Sequence, residues 1–320
     1  MTQQRWGVTI PLAGVPLLEH RAWFDELVDL GYTDVWSAEV NAHDAFTPLV
    51  LAAAWQPSLR LAQAIVPVYT RGPALLAQTC ASLADVAPGR VAIGLGASSN
   101  VIVERWNGLE FDRPYHRVRD TLRFLREALA GEKITREYDT FSVRGFRLGI
   151  RLEHQPPILI AALRPGMLRL AGTEADGAIL NWLAPNDVRT VAPIVGEGKE
   201  LAARIFVVAS DDRDFVMGLG RRMIAEYLNV PVYAAFHEWL GRGDVLQPMW
   251  DAWKAGDRAA AVDAIPESVV DELIVHGSPE ACAEGVHAYV EAGITTPAPM
   301  IIADPNTTRT VLRAISDRRG

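Results

Sequence analysis

The 320-residue chain is poor in cysteine, with only Cys80 and Cys282. Each lies within a helical pattern, so the sequence predicts neither a disulfide framework nor a cysteine-based metal site. The chain also lacks any apolar run near the roughly 18 residues that a membrane-spanning helix needs. Its first seven residues show no signal-peptide pattern. We therefore expect an unanchored protein of a reducing compartment, the cytoplasm.

Clusters of positive charge are absent as well. Lysine and arginine number 31 against 39 aspartate and glutamate, the formal net charge is -8, and the charges are spread along the chain. Nucleic acids and anionic membrane surfaces are bound by clustered basic faces, so we expect neither partner. No spacing of histidines and carboxylates is typical of a metal site, and we predict no metal. Hydrophobic residues make up 49% of the chain, enough for a large core.

Strand patterns and helix patterns alternate along the chain. The predicted strands are 6–10, 34–38, 59–66, one within 90–99, 157–161, 176–180, 204–209 and 298–302. The predicted helices are 16–30, 47–55, 73–86, 112–129, 166–172, 186–195, 211–228 and 278–292. Eight strands that alternate with helices are typical of an α/β fold, and we predict a TIM (β/α)8 barrel with insertions.

Two stretches interrupt this rhythm. Residues 132–156 contain short alternating runs, which predict a small hairpin at the edge of the sheet with Gly145 in or near its turn. Residues 231–264 are rich in tryptophan, helical in pattern and too long for a simple connection. We therefore predict that residues 1–320 form a single domain with insertions near 132–156 and 231–264.

The predicted barrel directs attention to the residues that follow its strands, because barrel active sites lie at the carboxyl ends of the strands. The central strand ends in Gly94-Leu-Gly-Ala-Ser-Ser99, where glycines let the backbone approach a flat or anionic ligand. The alternative is that these residues only form a tight turn between a strand and a helix and bind no ligand. Arg164-Pro165-Gly166 precedes a helix, so its amides and its arginine suit a phosphate. The alternative is that Arg164 forms a salt bridge at the rim.

Glu39 and His43 follow the second predicted strand. A carboxylate there can act as an acid or base, or as a partner for a polar ring. It can equally serve only to order the loop. Histidine is a common acid–base residue, which suits a chemical role for His43, although a lone loop histidine can also be structural. Several tryptophans in loop-rich regions are candidates for lining a pocket, while each singly is a candidate for the core.

Several separated segments, taken together, carry a resemblance. They are 67–73 (Pro-Val-Tyr-Thr-Arg-Gly-Pro), 95–99 (Leu-Gly-Ala-Ser-Ser), 103–108 (Val-Glu-Arg-Trp-Asn-Gly), 162–172, 175–182 and 277–280 (Gly-Ser-Pro-Glu). In this order they resemble the bacterial-luciferase-like family, closest to the branch that uses the deazaflavin coenzyme F420. The resemblance implies a TIM barrel with the tricyclic ring of a flavin or deazaflavin in its mouth.

The resemblance also implies roles for individual residues. Ala64 and Ile65 fall on the ring platform, where many members of the family hold a non-prolyl cis peptide. The cofactor's ribityl chain and phosphate are expected to contact two loops, formed by Gly96, Ala97, Ser98 and Ser99 and by Ala162, Leu163, Arg164 and Gly166. Glu39, with His43, is the implied catalytic pair. In the family the residue after the acid is often histidine, whereas here it is Val40, so a histidine mechanism requires His43 to reach back into the site.

The function implied is that of an oxidoreductase that transfers a hydride between coenzyme F420 and a small organic substrate. One alternative is an FMN-dependent monooxygenase that works with a separate flavin reductase. Another is a barrel that binds a flavin or deazaflavin without turnover. A barrel of sugar or phosphate metabolism without a flavin would not account for the Tyr-Thr-Arg and Glu-Arg-Trp segments. Family members are commonly dimers, so we expect a homodimer, while the substrate and the direction of hydride transfer stay open.

Overall fold

Parallel strands form a nearly closed barrel in the structure, a computed structural model that describes residues 4–319. The barrel strands, in order around the barrel, are β1 (Gly7–Ile10), β2 (Asp34–Ser37), β3 (Arg60–Gln63), β5 (Val91–Gly96), β8 (Ile158–Ala161), β9 (Gly177–Asn181), β10 (Glu200–Val208) and β12 (Thr296–Ile302). Thr9 Oγ1 on β1 donates to Ala298 O on β12 at 2.9 Å, which brings the last strand beside the first. The predicted TIM-barrel fold is confirmed.

Helices cover the outside of the barrel, and a few short strands lie off its main path. The α-helices are α1 (His20–Asp29), α2 (Thr47–Trp55), α3 (Pro73–Val86), α4 (Pro114–Leu129), α5 (Pro165–Glu174), α6 (Pro185–Val195), α7 (Arg213–Leu228), α8 (Pro231–Trp239), α9 (Gly243–Lys254), α10 (Arg258–Asp263), α11 (Glu267–Leu273), α12 (Pro279–Glu291) and α13 (Pro305–Asp317). A 3-10 turn spans Leu17–Glu19 and a π-helix spans Val101–Trp106. The short strands are β4 (Val66–Pro67), β6 (Ile134–Glu137), β7 (Ser142–Phe146) and β11 (Val275–His276).

Local signals place many helix ends. Proline stands in the first turn of α2 and of α3, where its missing N–H costs no hydrogen bond, and both helices have the predicted bounds. Asp212 caps α7 by accepting from Phe215 N at 3.1 Å, and Ser278 caps α12 by accepting from Ala281 N at 3.3 Å. The helices α11 and α13 were not predicted, although Asp304 caps α13 through its side chain.

The hairpin of β6 and β7 differs from its prediction. It forms a separate two-stranded antiparallel sheet, not an edge of the barrel sheet. Its aromatic side chains pack on Phe124 of α4, with ring centroids 5.7 Å apart for Phe146. The placement of Gly145 in the turn was wrong, since the chain turns between Tyr138 and Phe141. Gly145, with φ of 71°, instead accommodates an irregularity in the register of β7, as in a β-bulge.

The interior of the barrel is layered, because alternate residues of a strand face the same side. A middle layer is fully buried and apolar, made of Trp36, Ala62, Ala92, Leu159, Ile179, Ala202 and Ala298. Below it, at the amino ends of the strands, Arg60 contacts Asp34 and Glu200. Above it, at the carboxyl ends, the inward positions two residues further along include Gly94, Ala161, Asn181, Arg204 and Met300. This upper layer is the floor of the barrel mouth.

Candidate active site

Small residues make up one side of the mouth. Ala64 and Ile65 follow β3, pack on the middle layer and remain half-buried, and the peptide bond between them is cis. A Cβ placed on Gly96 would lie 2.7 Å from Ile65 Cγ1, so this glycine leaves room for the isoleucine side chain. Ala161, at the end of β8, adds a further small side chain. A floor of this kind fits a flat ring system.

The loop after β5 carries two serines, Ser98 and Ser99. Ser98 adopts the left-handed backbone region with φ of 66°, which is uncommon for a residue other than glycine. Ser99 Oγ accepts from Ile102 N at 3.4 Å, while the Ser98 hydroxyl has no hydrogen-bond partner within residues 4–319. Ala97 is half-buried beside them. The π-helix that follows is of a kind often found at functional sites.

The amino end of α5 lies on the neighbouring strand connection, since β5 and β8 pair in parallel with Leu95 opposite Ile160. The first amide of α5 to find a partner is Leu168 N, which donates to Arg164 O at 3.0 Å. The Gly166 amide precedes it, and nothing lies within 4 Å of where a Cβ of Gly166 would be. Unpaired amides at a helix start favour an anion.

Arg164 is exposed at this helix start and forms no ion pair with any residue that the structure describes. The alternative of a salt bridge at the rim is therefore wrong. Ala162 is buried and Leu163 is half-buried behind the loop. Together, the loops after β5 and β8 offer a hydroxyl, free amides and a guanidinium in adjoining positions, which fits a phosphodiester. The structure thus brings together the two loops that the resemblance assigned to the cofactor tail.

The carboxylate of Glu39 is engaged by the protein itself. Oε1 accepts from Arg71 Nη1 at 2.7 Å and from Thr70 Oγ1 at 3.3 Å, and Oε2 accepts from Ala45 N at 3.1 Å. The Arg71 and Glu39 side chains are 18% and 16% exposed. These contacts tie the loop after β2 to the loop after β4, so the geometry supports the alternative that Glu39 orders a loop.

His43 is exposed on the same loop and makes no hydrogen bond to the described part of the chain. Its catalytic role stays a prediction. The loop around it is ordered by Asp44, which accepts from Phe46 N at 2.8 Å and from Thr47 N at 3.0 Å. Although partial burial opposes the shift, the hydrogen bonds from Thr47 and the Phe46 amide hold the pKa of Asp44 below its ordinary value.

A polar group on the other side of the mouth was missed by the sequence analysis. Arg204 and Asn181 stand opposite each other in the register of β10 and β9, and both are half-buried. Asn181 Nδ2 donates to the Tyr233 hydroxyl of α8 at 3.2 Å. Burial raises the pKa of Tyr233 to about 12. An available signal was the arginine inside the otherwise apolar run 201–208, but the predicted strand 204–209 began four residues late and placed Arg204 at its edge.

The tryptophans divide between core and surface. Trp36 fills the middle layer of the barrel at 1% exposure, and Trp182 is buried against Phe206 with ring centroids 4.2 Å apart. Trp106, in the π-helix beside the mouth, is 54% exposed. Of these, Trp106 is the one whose exposed ring is free to contact a ligand.

Within residues 4–319 no group of three or more histidines, cysteines or carboxylates is arranged to hold a metal ion. In the same part of the chain, no helix combines the length and the apolar character needed to cross a bilayer.

The fold is a (β/α)8 barrel, and the candidate site lies in its mouth. The chain belongs to the luciferase-like monooxygenase family, whose sequence model matches residues 2–296. The predicted family resemblance is confirmed.

Among curated relatives, a 5,10-methylenetetrahydromethanopterin reductase of Methanolobus tindarius is 24% identical, over 83% of this chain and 84% of its own length. An F420-dependent glucose-6-phosphate dehydrogenase of Rhodococcus erythropolis is 29% identical, over 72% and 68%. These relatives are named as oxidoreductases, and the prediction that the chain is a luciferase-like oxidoreductase, an enzyme, is confirmed.

Solved structures share the fold. The coenzyme F420-dependent tetrahydromethanopterin reductase of Methanopyrus kandleri superposes with a TM-score of 0.78 at 19% identity, covering 98% of each chain. The oxygenating constituent of 3,6-diketocamphane monooxygenase of Pseudomonas putida, solved with FMN, gives a TM-score of 0.67 at 17% identity, covering 98% of this chain and 96% of its own.

Proposed function

We propose that the protein is a coenzyme F420-dependent oxidoreductase that transfers a hydride between the deazaflavin and a small organic substrate. The observation that carries the proposal is that the apolar surface of Ala64, Ile65, Gly96 and Ala161 shares one mouth with two adjoining loops that suit an anion. The names of the relatives support it, because the Rhodococcus dehydrogenase and the Methanopyrus reductase are both described as F420-dependent.

Each part of the mouth has a task in this proposal. Ala64 and Ile65 support one face of the ring, and Gly96 leaves the room that the isoleucine side chain needs beneath it. Ser98, Ser99, Arg164 and the Gly166 amide hold the phosphate side of the tail. When bound, the cofactor supplies the hydride chemistry, and the protein supplies orientation and exclusion of water.

Glu39 and His43 have different tasks. Glu39 positions the loop after β2 through Arg71 and Ala45, since its oxygens are already occupied. His43 lies four residues further along that loop, exposed, where it is free to hold or protonate a substrate. The proposed catalytic pair therefore divides into a positioning residue and a residue that contacts the substrate.

FMN is the alternative cofactor, and one observation favours it: the same fold holds FMN in the Pseudomonas monooxygenase. The loops after β5 and β8 would suit the FMN phosphate as well as a phosphodiester. In that case the enzyme would be a monooxygenase supplied by a separate reductase.

The deciding experiment is a titration of the purified apo-protein with coenzyme F420 and, separately, with FMN, followed by the fluorescence of each ligand. We expect F420 to bind at least about tenfold more tightly, and Ser98→Arg to abolish binding because the long side chain fills the path of the tail. Preference for FMN would overturn the cofactor assignment. If neither ligand binds, the proposed function fails.

We also propose that the protein is a homodimer built from one domain per chain, as the resemblance implies. Light scattering of the purified protein tests the dimer. A mass near 35.0 kDa, that of one chain, would contradict it.

A further inference from the structure

Arginines at the two ends of the barrel interior have different partners. Glu200, Ala202 and Arg204 alternate on β10 and face inward, with Glu200 and Arg204 about 13 Å apart along the strand. At the lower end, Arg60 donates to both oxygens of Glu200 at 2.8 Å, and to Asp34 at 3.1 Å. Arg5 donates to both oxygens of Asp34 at 2.9 Å. The guanidinium groups of Arg5 and Arg60 are thus each paired with carboxylates.

Arg204, at the mouth, has no such compensation. No carboxylate of residues 4–319 lies within ion-pair distance of its guanidinium. Within the described chain its Nε is buried without a hydrogen-bond partner, and its Nη2 contacts only the sulfur of Met300, at 2.6 Å. The guanidinium lies 5.0 Å from the centroid of the Phe206 ring. Holding a half-buried cation among these neighbours costs free energy unless an anion pairs with it.

The neighbours of Arg204 supply a further donor. Asn181 Oδ1 is buried without a hydrogen-bond partner among the described residues. Asn181 Nδ2 donates to the Tyr233 hydroxyl, which itself donates to no described residue. With the amide as it stands, the Tyr233 hydroxyl proton is available. With the two ends of the amide exchanged, Tyr233 donates to Asn181 and the NH2 group takes the unpartnered position. In either arrangement the group offers a guanidinium and one more donor.

We propose that Arg204, with Asn181 and Tyr233, forms a subsite for a carboxylate of the substrate. The planar fork of an arginine matches the two oxygens of a carboxylate. This inference rests on the proposed function for the identity of the second ligand in the mouth. The tail loops follow β5 and β8, whereas Arg204 lies on β10 beyond β9, and Tyr233 comes from α8. Arg204, Asn181 and Tyr233 therefore lie on the part of the mouth that is left for the substrate. A substrate with a carboxylate there would be a small organic acid.

The test compares ligands of equal shape and different charge. Acetate with acetamide, butyrate with butyramide, and benzoate with benzamide are titrated into the wild-type protein at constant ionic strength, with and without bound F420, by calorimetry. The variants are Arg204→Met, which removes the charge, and Arg204→Lys, which keeps it. Arg318→Met, at an exposed arginine that follows the last turn of α13, is the control.

For the wild type and the control we expect at least one carboxylate to bind about 10- to 100-fold more tightly than its amide. In Arg204→Met this preference disappears, while F420 affinity is unchanged and the melting temperature does not fall. Arg204→Lys retains part of the preference.

Two results would overturn the proposal. One is that no carboxylate is preferred by the wild type. The other is that Arg204→Met weakens F420 binding and leaves the carboxylate preference intact, which would assign Arg204 to the cofactor. Failure of F420 to bind at all, with the preference still dependent on Arg204, would instead reject the proposed function and keep the subsite.

Discussion

At the scale of single residues, the partners of a side chain decide between roles that its position in the sequence leaves open. Glu39 follows a barrel strand, as a catalytic acid would, yet Arg71, Thr70 and the Ala45 amide occupy both of its oxygens. Arg164 shows the converse, since it is exposed without an ion pair in the described chain. Their positions after barrel strands made both residues candidates. Their contacts then favour a positioning role for Glu39 and a ligand-binding role for Arg164.

Glu39 and Arg71 can be tested as a unit by a double-mutant cycle. We expect Glu39→Gln and Arg71→Met each to lower the free energy of unfolding by about 1–2 kcal/mol, because each removes the same charged hydrogen bond. The double variant should lose no more than the larger single loss. Urea denaturation measures the three values. Additive losses would mean that the two side chains do not act through each other.

At the scale of elements, α8 does more than connect strands, because it brings Tyr233 to the mouth and buries His237. The side chain of His237 is fully buried. Burial, reinforced by the positive charge of Arg242, lowers the pKa of His237 from 6.5 to about 3. The helical, tryptophan-rich pattern of residues 231–264 indicated helices, but neither this burial nor the contact of Tyr233 with Asn181 follows from periodicity.

The buried histidine predicts a pH dependence of stability. Between pH 6.5 and about 3 the unfolded chain binds a proton at His237 that the folded protein does not. The free energy of unfolding therefore falls as the pH is lowered through this range, by about 2 kcal/mol at pH 5 from this group. Denaturation at pH 7.5 and pH 5 should show a smaller loss for His237→Gln than for the wild type. His154→Gln, at an exposed site, is the control, and equal losses in all three proteins would refute the prediction.

At the scale of the whole molecule, the charge network at the lower end joins strands from opposite parts of the chain. Arg60 of β3 bridges Asp34 of β2 and Glu200 of β10, and Thr296 of β12 donates to Glu200 at 2.8 Å. Burial alone would raise the pKa of Glu200, but the hydrogen bonds and charge of Arg60 hold it below its ordinary value. The network therefore joins these strands at their amino ends and includes no residue of the mouth.

Removal of Arg60 should therefore destabilise the fold. We expect Arg60→Met to lower the free energy of unfolding by about 3–5 kcal/mol, because Glu200 stays buried without its guanidinium partner and Asp34 keeps only Arg5. Arg204→Met is the matched comparison in the same barrel interior. It leaves no carboxylate of the described chain without a partner, so its free energy of unfolding should not fall in this way. Chemical denaturation of both variants gives the values. A loss below about 1 kcal/mol in Arg60→Met would show that the network is not structural.

The sequence alone determined the fold, because strand and helix periodicity are local properties, and proline, serine and aspartate mark helix starts within a few residues. It also identified the loops after β5 and β8, where glycine, serine and arginine follow buried strands. Only the tertiary structure decided how distant residues meet, as Glu39 does with Arg71 and Asn181 with Tyr233. It also left Arg204 with no carboxylate partner among the described residues. Such contacts depend on strand register and on where a helix packs, and both are set by the closure of the whole barrel.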